Sequence, residues 1–110
     1  MKLNWKSVLG LSATGVLMLF LASAPMQAQD AAATFKAKCA MCHGADGKAE
    51  TPIAKKMNIR SFASPEVQKM SDAEVTQIIE KGKDKMPAYG SKLSASDIKG
   101  LVTYIRGLGK

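Results

Sequence analysis

Apolar residues near the C-terminus recur at the spacing of one face of an α-helix. They are Ile98, Leu101, Val102, Ile105 and Leu108. A shorter apolar face, formed by Val75, Ile78 and Ile79, follows the sequence Ser71-Asp72-Ala73-Glu74, which has the form of a capping box. Ser94 and Asp97 have the same spacing before the C-terminal apolar face. These patterns predict one helix that ends near Gly82 and a second that follows Ser94.

A third helix is predicted over residues 30–39, which are rich in alanine and run into Cys39. Asp30 is a candidate cap for it. The segments 44–65 and 83–92 contain glycine, proline and lysine and are predicted loops, with a helical turn expected around 53–57. Since no stretch alternates with a period of two, the fold class is all-α. Loops this long in a small domain are usually functional, disordered, or wrapped around a buried group.

The N-terminus has the pattern of an export signal. Lys2 and Lys6 form a basic start, an uncharged apolar run covers residues 8–22, and small residues precede Gln29. The run is shorter than the roughly 20 residues that cross a bilayer comfortably. We expect residues 1–28 to be a cleaved signal peptide and residues 29–110 to be one domain in the periplasm, without stable membrane insertion. A thylakoid lumen location and an uncleaved N-terminal anchor are the alternatives.

The expected domain has few large side chains for its core. Its aromatic residues are Phe35, Phe62, Tyr89 and Tyr104, and it has no tryptophan. Small domains often need a disulfide, a metal or a cofactor for stability. Lys2 and Lys6 account for two of the 16 basic residues, so residues 29–110 carry 14 basic and 9 acidic residues, a net charge of +5. No basic run is interleaved with aromatic residues, which argues against nucleic-acid binding and favours an acidic protein partner.

Both cysteines and the single histidine of the chain stand together as Cys39-Ala40-Met41-Cys42-His43. C-x-x-C-H is the attachment signature of c-type haem. In that chemistry the two thiols add to the vinyl groups of the porphyrin, and the histidine becomes the proximal ligand of the iron. The motif therefore predicts one covalently bound haem c, attached through Cys39 and Cys42 and ligated by His43.

Three other kinds of site share part of this pattern. A redox dithiol requires a strand before the cysteine pair, whereas a helix is predicted here. A zinc site requires four ligands, and the chain has no cysteine or histidine beyond these three residues. A structural disulfide would close only a very small loop. Haem attachment is the favoured interpretation.

Met86 is the candidate for the second axial ligand of the iron. It lies in the polar segment Lys85-Met86-Pro87-Ala88-Tyr89, far enough along the chain to reach the opposite face of the ring. Pro87 restricts Met86 to an extended conformation. Met41 is held inside the attachment turn, while Met57 and Met70 have apolar neighbours and are interpreted as packing residues.

Three motifs in order give the chain a resemblance to the class I c-type cytochromes, especially the small bacterial and c6-like monohaem proteins. In that family an aromatic residue stands four positions before the first haem cysteine, which matches Phe35 and Cys39. A leucine and an aromatic residue three apart match Leu101 and Tyr104, and the distal Met-Pro-Ala-aromatic segment matches residues 86–89. The resemblance implies the cytochrome c fold, with three main helices and loops wrapped around one haem.

The chain departs from the family pattern at three places. Ala31 stands where the family often has a glycine at the close helix crossing. Pro52 is the candidate for the carbonyl that accepts a hydrogen bond from the proximal histidine in many members. Because the mature chain has no tryptophan, Tyr89 and Lys92 are the candidate partners of a haem propionate.

The resemblance implies an electron carrier rather than an enzyme: a monomeric, soluble periplasmic protein that shuttles one electron between larger redox partners. With His43 and Met86 on the iron, no position is open for a substrate. Lysines in the loops are expected to steer acidic partners. They are Lys48, Lys55, Lys56, Lys83, Lys85 and Lys92. The alternatives are an open-site haem enzyme or sensor, for which no histidine remains as distal base, and a haem relay subunit of a larger oxidoreductase.

Overall fold

The structure is a computed structural model that describes Gly15 and residues 26–110, with side chains from Asp30 onward. The predicted signal peptide therefore lies outside the described residues, apart from Gly15 and its last three positions. Among the residues described, no helix is long and apolar enough to span a bilayer.

The described residues form six helices and no β-strand, which confirms the all-α prediction. The helices are α1 (Met26–Lys38), α2 (Ala40–His43), α3 (Pro52–Met57), α4 (Pro65–Gln68), α5 (Asp72–Lys81) and α6 (Ala95–Leu108). The three long ones are the three predicted helices. The expected helical turn is α3, while α4 lies where a loop was expected to end. Pro65 at its first position explains this turn, because proline is favoured at the first position of a helix.

Helix α1 starts earlier than predicted. Asp30 lies inside the helix, four residues after Met26, so the prediction that it caps α1 is wrong. The preceding residues are methionine, glutamine and alanine, which have good helix propensity and extend the helix toward the N-terminus.

Both predicted capping boxes are present. The Ser71 hydroxyl accepts the Glu74 amide at 3.1 Å, and the Glu74 carboxylate accepts the Ser71 amide at 2.7 Å. Ser94 and Asp97 make the same reciprocal pair at 3.0 and 3.2 Å. Each box satisfies amides at a helix N-terminus that have no partner within the helix, and so sets where α5 and α6 begin.

The core lies where α1 and α5 pack against α6. Phe35 on α1 is fully buried and contacts Phe62 edge-on, with ring centroids 6.0 Å apart, and Tyr104 on α6 at 5.3 Å. Ile98 and Leu101 on α6 are also fully buried. Ala31, the predicted small residue of the helix crossing, is buried as well. One side of this core is not packed against other side chains in the described part of the chain, because it borders a large cavity.

Candidate haem-binding site

A cavity of about 580 Å³ lies between the end of α1, helix α2, the segment after α3, helix α5 and residues 83–89. All four predicted site residues line it: Cys39, Cys42, His43 and Met86. The inner wall is largely apolar and includes Phe35, Val75, Ile79, Leu101 and Ile105. Its volume is in the range of typical cofactor sites, about 300–1,000 Å³. The structure thus brings the predicted residues, up to 47 positions apart in sequence, to one place.

The attachment turn is a sharp break between two helices. Helix α1 ends at Lys38, and the carbonyl of Cys39 then accepts the amides of Cys42 at 3.2 Å and His43 at 3.0 Å. This tight turn holds both sulfur atoms and the imidazole at the cavity wall. Both cysteines are free, half-buried thiols, and they do not form the structural disulfide considered as an alternative. Burial raises the pKa of the Cys39 thiol.

The loop that follows folds back and fixes this turn. The Ala49 amide donates to the His43 carbonyl at 2.9 Å, and the Thr51 hydroxyl donates to the Cys42 carbonyl at 2.9 Å. The same hydroxyl accepts the Ala54 amide and so caps α3. Thr51 therefore links the start of α3 to the attachment turn through two hydrogen bonds.

The imidazole of His43 stacks on the ring of Phe62, with centroids 4.9 Å apart and planes 25° from parallel. Burial lowers the pKa of His43, which favours the neutral form that can bind a metal. Within the described part of the chain, its Nδ1 atom is buried with no hydrogen-bond partner. The prediction that the Pro52 carbonyl accepts from this atom is therefore wrong. Pro52 is the first residue of α3, where a carbonyl points along the helix axis.

Met86 is held by a tight turn in the loop after α5. Its amide donates to the Lys83 carbonyl at 2.9 Å, and its carbonyl accepts the Lys83 amide at 3.2 Å. Gly82 makes this turn possible, with a φ of +75° and a position at which a Cβ atom would lie 2.6 Å from the Met86 carbonyl oxygen. Met86 is half-buried at the cavity wall. Met57 and Met70 line the same cavity, although Met57 is 41% exposed and packs little.

The two residues proposed as propionate partners are engaged elsewhere. The Tyr89 hydroxyl donates to the Lys38 carbonyl at 3.2 Å, and the Lys92 ammonium lies over the Tyr89 ring, 5.6 Å from its centroid. Tyr89 lines the cavity, whereas Lys92 is not among its lining residues. The cations that do line the cavity are Lys38, Arg60, Lys83 and Lys85.

Sequence reasoning missed the roles of Phe62 and Gly47. A Cβ atom on Gly47 would lie 2.5 Å from the Phe62 ring, and the Phe62 amide donates to the Gly47 carbonyl at 3.0 Å. Gly47 thus seats the ring that stacks on His43. The one signal available was an aromatic residue in a segment otherwise rich in polar residues, glycine and proline.

The donor set and the cavity fit a c-type haem. Two thiols, an imidazole with a lowered pKa and a thioether face one apolar cavity, which is the combination that covalent attachment and axial ligation require. In the described residues, no group of three or more histidine, cysteine, aspartate or glutamate side chains is arranged to hold a metal ion.

Comparisons with known proteins agree with this chemistry. A family model described as cytochrome C oxidase, cbb3-type, subunit III matches residues 26–105. Cytochrome c6 of Microcystis aeruginosa is 36% identical over 78 residues, which cover 69% of this chain and 90% of that protein. Cytochrome c6 of Rippkaea orientalis (strain PCC 8801 / RF-1) is 39% identical over 95 residues, 82% of this chain and 81% of that protein. The solved KustC0563 c-type cytochrome superposes with a TM-score of 0.68 at 32% identity, covering 74% of this chain and 99% of that one.

The chain therefore belongs to the class I c-type cytochromes, and its architecture is the cytochrome c fold. It binds one covalently attached haem c and is an electron-transfer haem protein. The resemblance found in the three sequence motifs is confirmed.

Proposed function

We propose that this protein is a soluble periplasmic electron carrier in which Cys39 and Cys42 attach the haem and His43 and Met86 ligate its iron. The observation that carries the proposal is the convergence of these four side chains on one apolar cavity. The bound haem supplies a one-electron change of valence at its iron. With His43 and Met86 both bound to the iron, the site would have no place for a substrate, and a carrier is favoured over an enzyme.

The residues around the site set the properties of the carrier. The apolar wall excludes water, and a low dielectric disfavours the more highly charged oxidised iron. The Met86 thioether raises the reduction potential compared with a second nitrogen ligand. The hydrogen bonds at residues 42, 43 and 86 hold the attachment turn against the loop before α3 and close the turn that carries Met86, so little of the protein needs to move when an electron passes.

The mouth of the cavity is the proposed docking surface for an acidic redox partner. Lys83 and Lys85, two of the lysines expected to steer partners, line the cavity together with Lys38 and Arg60. Among the described residues that line it, Asp84 is the one acidic residue. Complementary charge mainly speeds encounter and orients the partner. Lys48, Lys55 and Lys56 are exposed but do not line the cavity.

A haem relay within a larger oxidoreductase is the second candidate. It is supported by the description of the matching family model as a subunit of a cbb3-type oxidase. The two candidates share their haem chemistry and differ in how tightly the partner is held. Binding to a purified partner oxidase at physiological salt separates them, because a shuttle dissociates between electron transfers and a subunit does not.

The ligand assignment is tested by replacing Met86 and, as a matched control, Met70. Both methionines line the cavity and are half-buried. We expect the oxidised Met86→Ala protein to lose its sulfur-to-iron charge-transfer band, its potential to fall, and its reduced form to bind carbon monoxide. Met70→Ala should keep the band. An unchanged band in Met86→Ala, or its loss in Met70→Ala, would show that Met86 is not the ligand.

A further inference from the structure

The hydroxyl of Tyr89 connects the two segments that carry the proposed iron ligands. It donates to the carbonyl of Lys38 at 3.2 Å, across 51 positions in sequence. Lys38 is the last residue of α1 and directly precedes Cys39, the first residue of the attachment turn. Tyr89 stands three residues after Met86. This bond therefore joins the loop of residues 83–92, here called the distal loop, to the end of α1, next to the attachment turn.

The Lys38 carbonyl lacks its usual helical partner. In a continuing helix it would accept the amide of Cys42, four residues on, but that amide donates to the Cys39 carbonyl instead. Carbonyls at a helix C-terminus need a donor from outside the helix. The break that forms the attachment turn thus creates the acceptor that Tyr89 uses.

Tyr89 is also fixed through its main chain. Its amide donates to the Ile79 carbonyl at 2.9 Å, and its own carbonyl accepts the amides of Lys92 and Leu93, both at 3.0 Å. Between Met86 and Tyr89 stands Pro87, whose ring restricts the backbone. A displacement of Met86 away from the cavity is therefore transmitted to Tyr89 and opposed by its hydrogen bonds.

We propose that Tyr89 is a positioning residue that keeps Met86 on the iron by tying the distal loop to the end of α1. The inference rests on the proposed ligation by Met86. A phenylalanine at this position would supply the aromatic ring of the distal motif but not the tie. The distal motif requires only an aromatic residue at this position, and the hydroxyl group of Tyr89 is additional to that requirement.

The test compares Tyr89→Phe with Tyr104→Phe in the oxidised holoprotein. Tyr104 is a matched control, since it is half-buried, contacts Phe35, and its hydroxyl has no hydrogen-bond partner among the described residues. Imidazole, which competes with a methionine ligand, is titrated while the sulfur-to-iron band is followed. We expect Tyr89→Phe to bind imidazole about two- to tenfold more tightly, which is the effect of one hydrogen bond. Tyr104→Phe should match the wild type.

Urea unfolding of the same proteins separates positioning from general stabilisation. If Tyr89 only stabilises the fold, Tyr89→Phe will unfold at lower urea while its imidazole affinity stays that of the wild type, and the inference is overturned. An equal rise in affinity in both variants would overturn it too. The failure of the proposed function has a different signature: the wild type itself would lack the sulfur-to-iron band, whatever Tyr89 does.

Discussion

At the residue scale, two glycines without chemistry of their own decide where the functional side chains lie. Gly47 and Gly82 adopt φ angles of +72° and +75°, a region that other residues enter at a cost. Each also lies against the backbone or ring it positions: Gly47 against Phe62, and Gly82 against the Met86 carbonyl. The geometry of both proposed iron ligands thus depends on residues that no metal-site motif contains.

Gly82→Ala should disturb the Met86 turn, because the new Cβ atom would meet the Met86 carbonyl oxygen at 2.6 Å and the φ angle would be strained. We expect the free energy of unfolding to fall by about 1–3 kcal/mol, with weakening of the sulfur-to-iron band, measured by urea titration and absorption. Gly107→Ala is the control: it lies in α6 with nothing within 4 Å of the added atom. That variant should be as stable as the wild type or more so. Equal loss of stability in both would contradict this account.

The four proposed haem residues could be predicted from sequence because their chemistry is local. Cys39, Cys42 and His43 form a short motif, and Met86 stands in a recognisable segment. The stacking of Phe62 on His43 and the bond from Tyr89 to Lys38 could not be predicted, because they join residues 19 and 51 positions apart through the tertiary fold. The Pro52 assignment failed for a related reason: the direction of its carbonyl depends on α3 starting there.

At the element scale, helix α5 is the part of the fold that sets the distal loop. Its capping box sets its start, and its C-terminal carbonyls at Ile79 and Glu80 accept the amides of Tyr89 and Gly90 at 2.9 and 3.0 Å. Arg106 on α6 holds the segment before α5, donating to the carbonyls of Val67 and Met70 and pairing with Asp72. These contacts fix α5 against α6 and fix the distal loop against α5, so they determine where the distal loop lies at the cavity.

Helices α5 and α6 were predictable because their apolar spacing and capping residues lie close together in the sequence, and α1 because its residues are rich in alanine. The start of α1 and the turn α4 were not predicted, since α1 extends by helix propensity without a cap and only Pro65 marks the start of α4. The hydrogen bonds from Arg106 to the carbonyls of Val67 and Met70 could not be predicted from the sequence either. An arginine in the last turn of a helix usually reads as favourable for the helix dipole, and here it binds carbonyls about 36–39 positions away.

Ser71→Ala should remove one half of the capping box of α5. We expect a loss of about 1 kcal/mol in the free energy of unfolding, measured by urea titration of the holoprotein. The absorption spectrum should not change, because the Ser71 hydroxyl and its partner Glu74 are exposed and neither residue lines the cavity. Ser91→Ala, at an exposed position of the distal loop, serves as control and should leave stability unchanged. A loss in the control equal to that of Ser71→Ala would argue against the cap.

At the scale of the whole molecule, a small domain gains its interior from a cofactor. The buried aromatic residues are only Phe35 and Phe62 among the residues described, and they border a cavity of about 580 Å³. The bound haem completes the apolar core that so few large side chains leave open. The chain as a whole is basic, with a formal charge of +7, and cations cluster at the cavity mouth.

The charge at the mouth predicts how small redox reagents react. Oxidation of the reduced protein by ferricyanide, an anion, should slow as ionic strength rises, because salt screens the attraction over a Debye length of about 8–10 Å. A cationic oxidant should show the opposite trend. Lys83→Glu with Lys85→Glu should weaken the ferricyanide dependence, measured by stopped flow, while Lys55→Glu with Lys56→Glu, away from the cavity lining, should weaken it less. An equal effect of both pairs would place the reactive edge elsewhere.

The central claim is a haem iron closed by His43 and Met86, and one measurement tests it most directly. It is the absorption spectrum of the purified holoprotein, oxidised and reduced, with and without carbon monoxide. This account predicts a low-spin spectrum, a sulfur-to-iron charge-transfer band in the oxidised protein, and no response of the reduced protein to carbon monoxide. A high-spin spectrum, or rapid carbon monoxide binding, would contradict it and indicate an open-site haem enzyme or sensor.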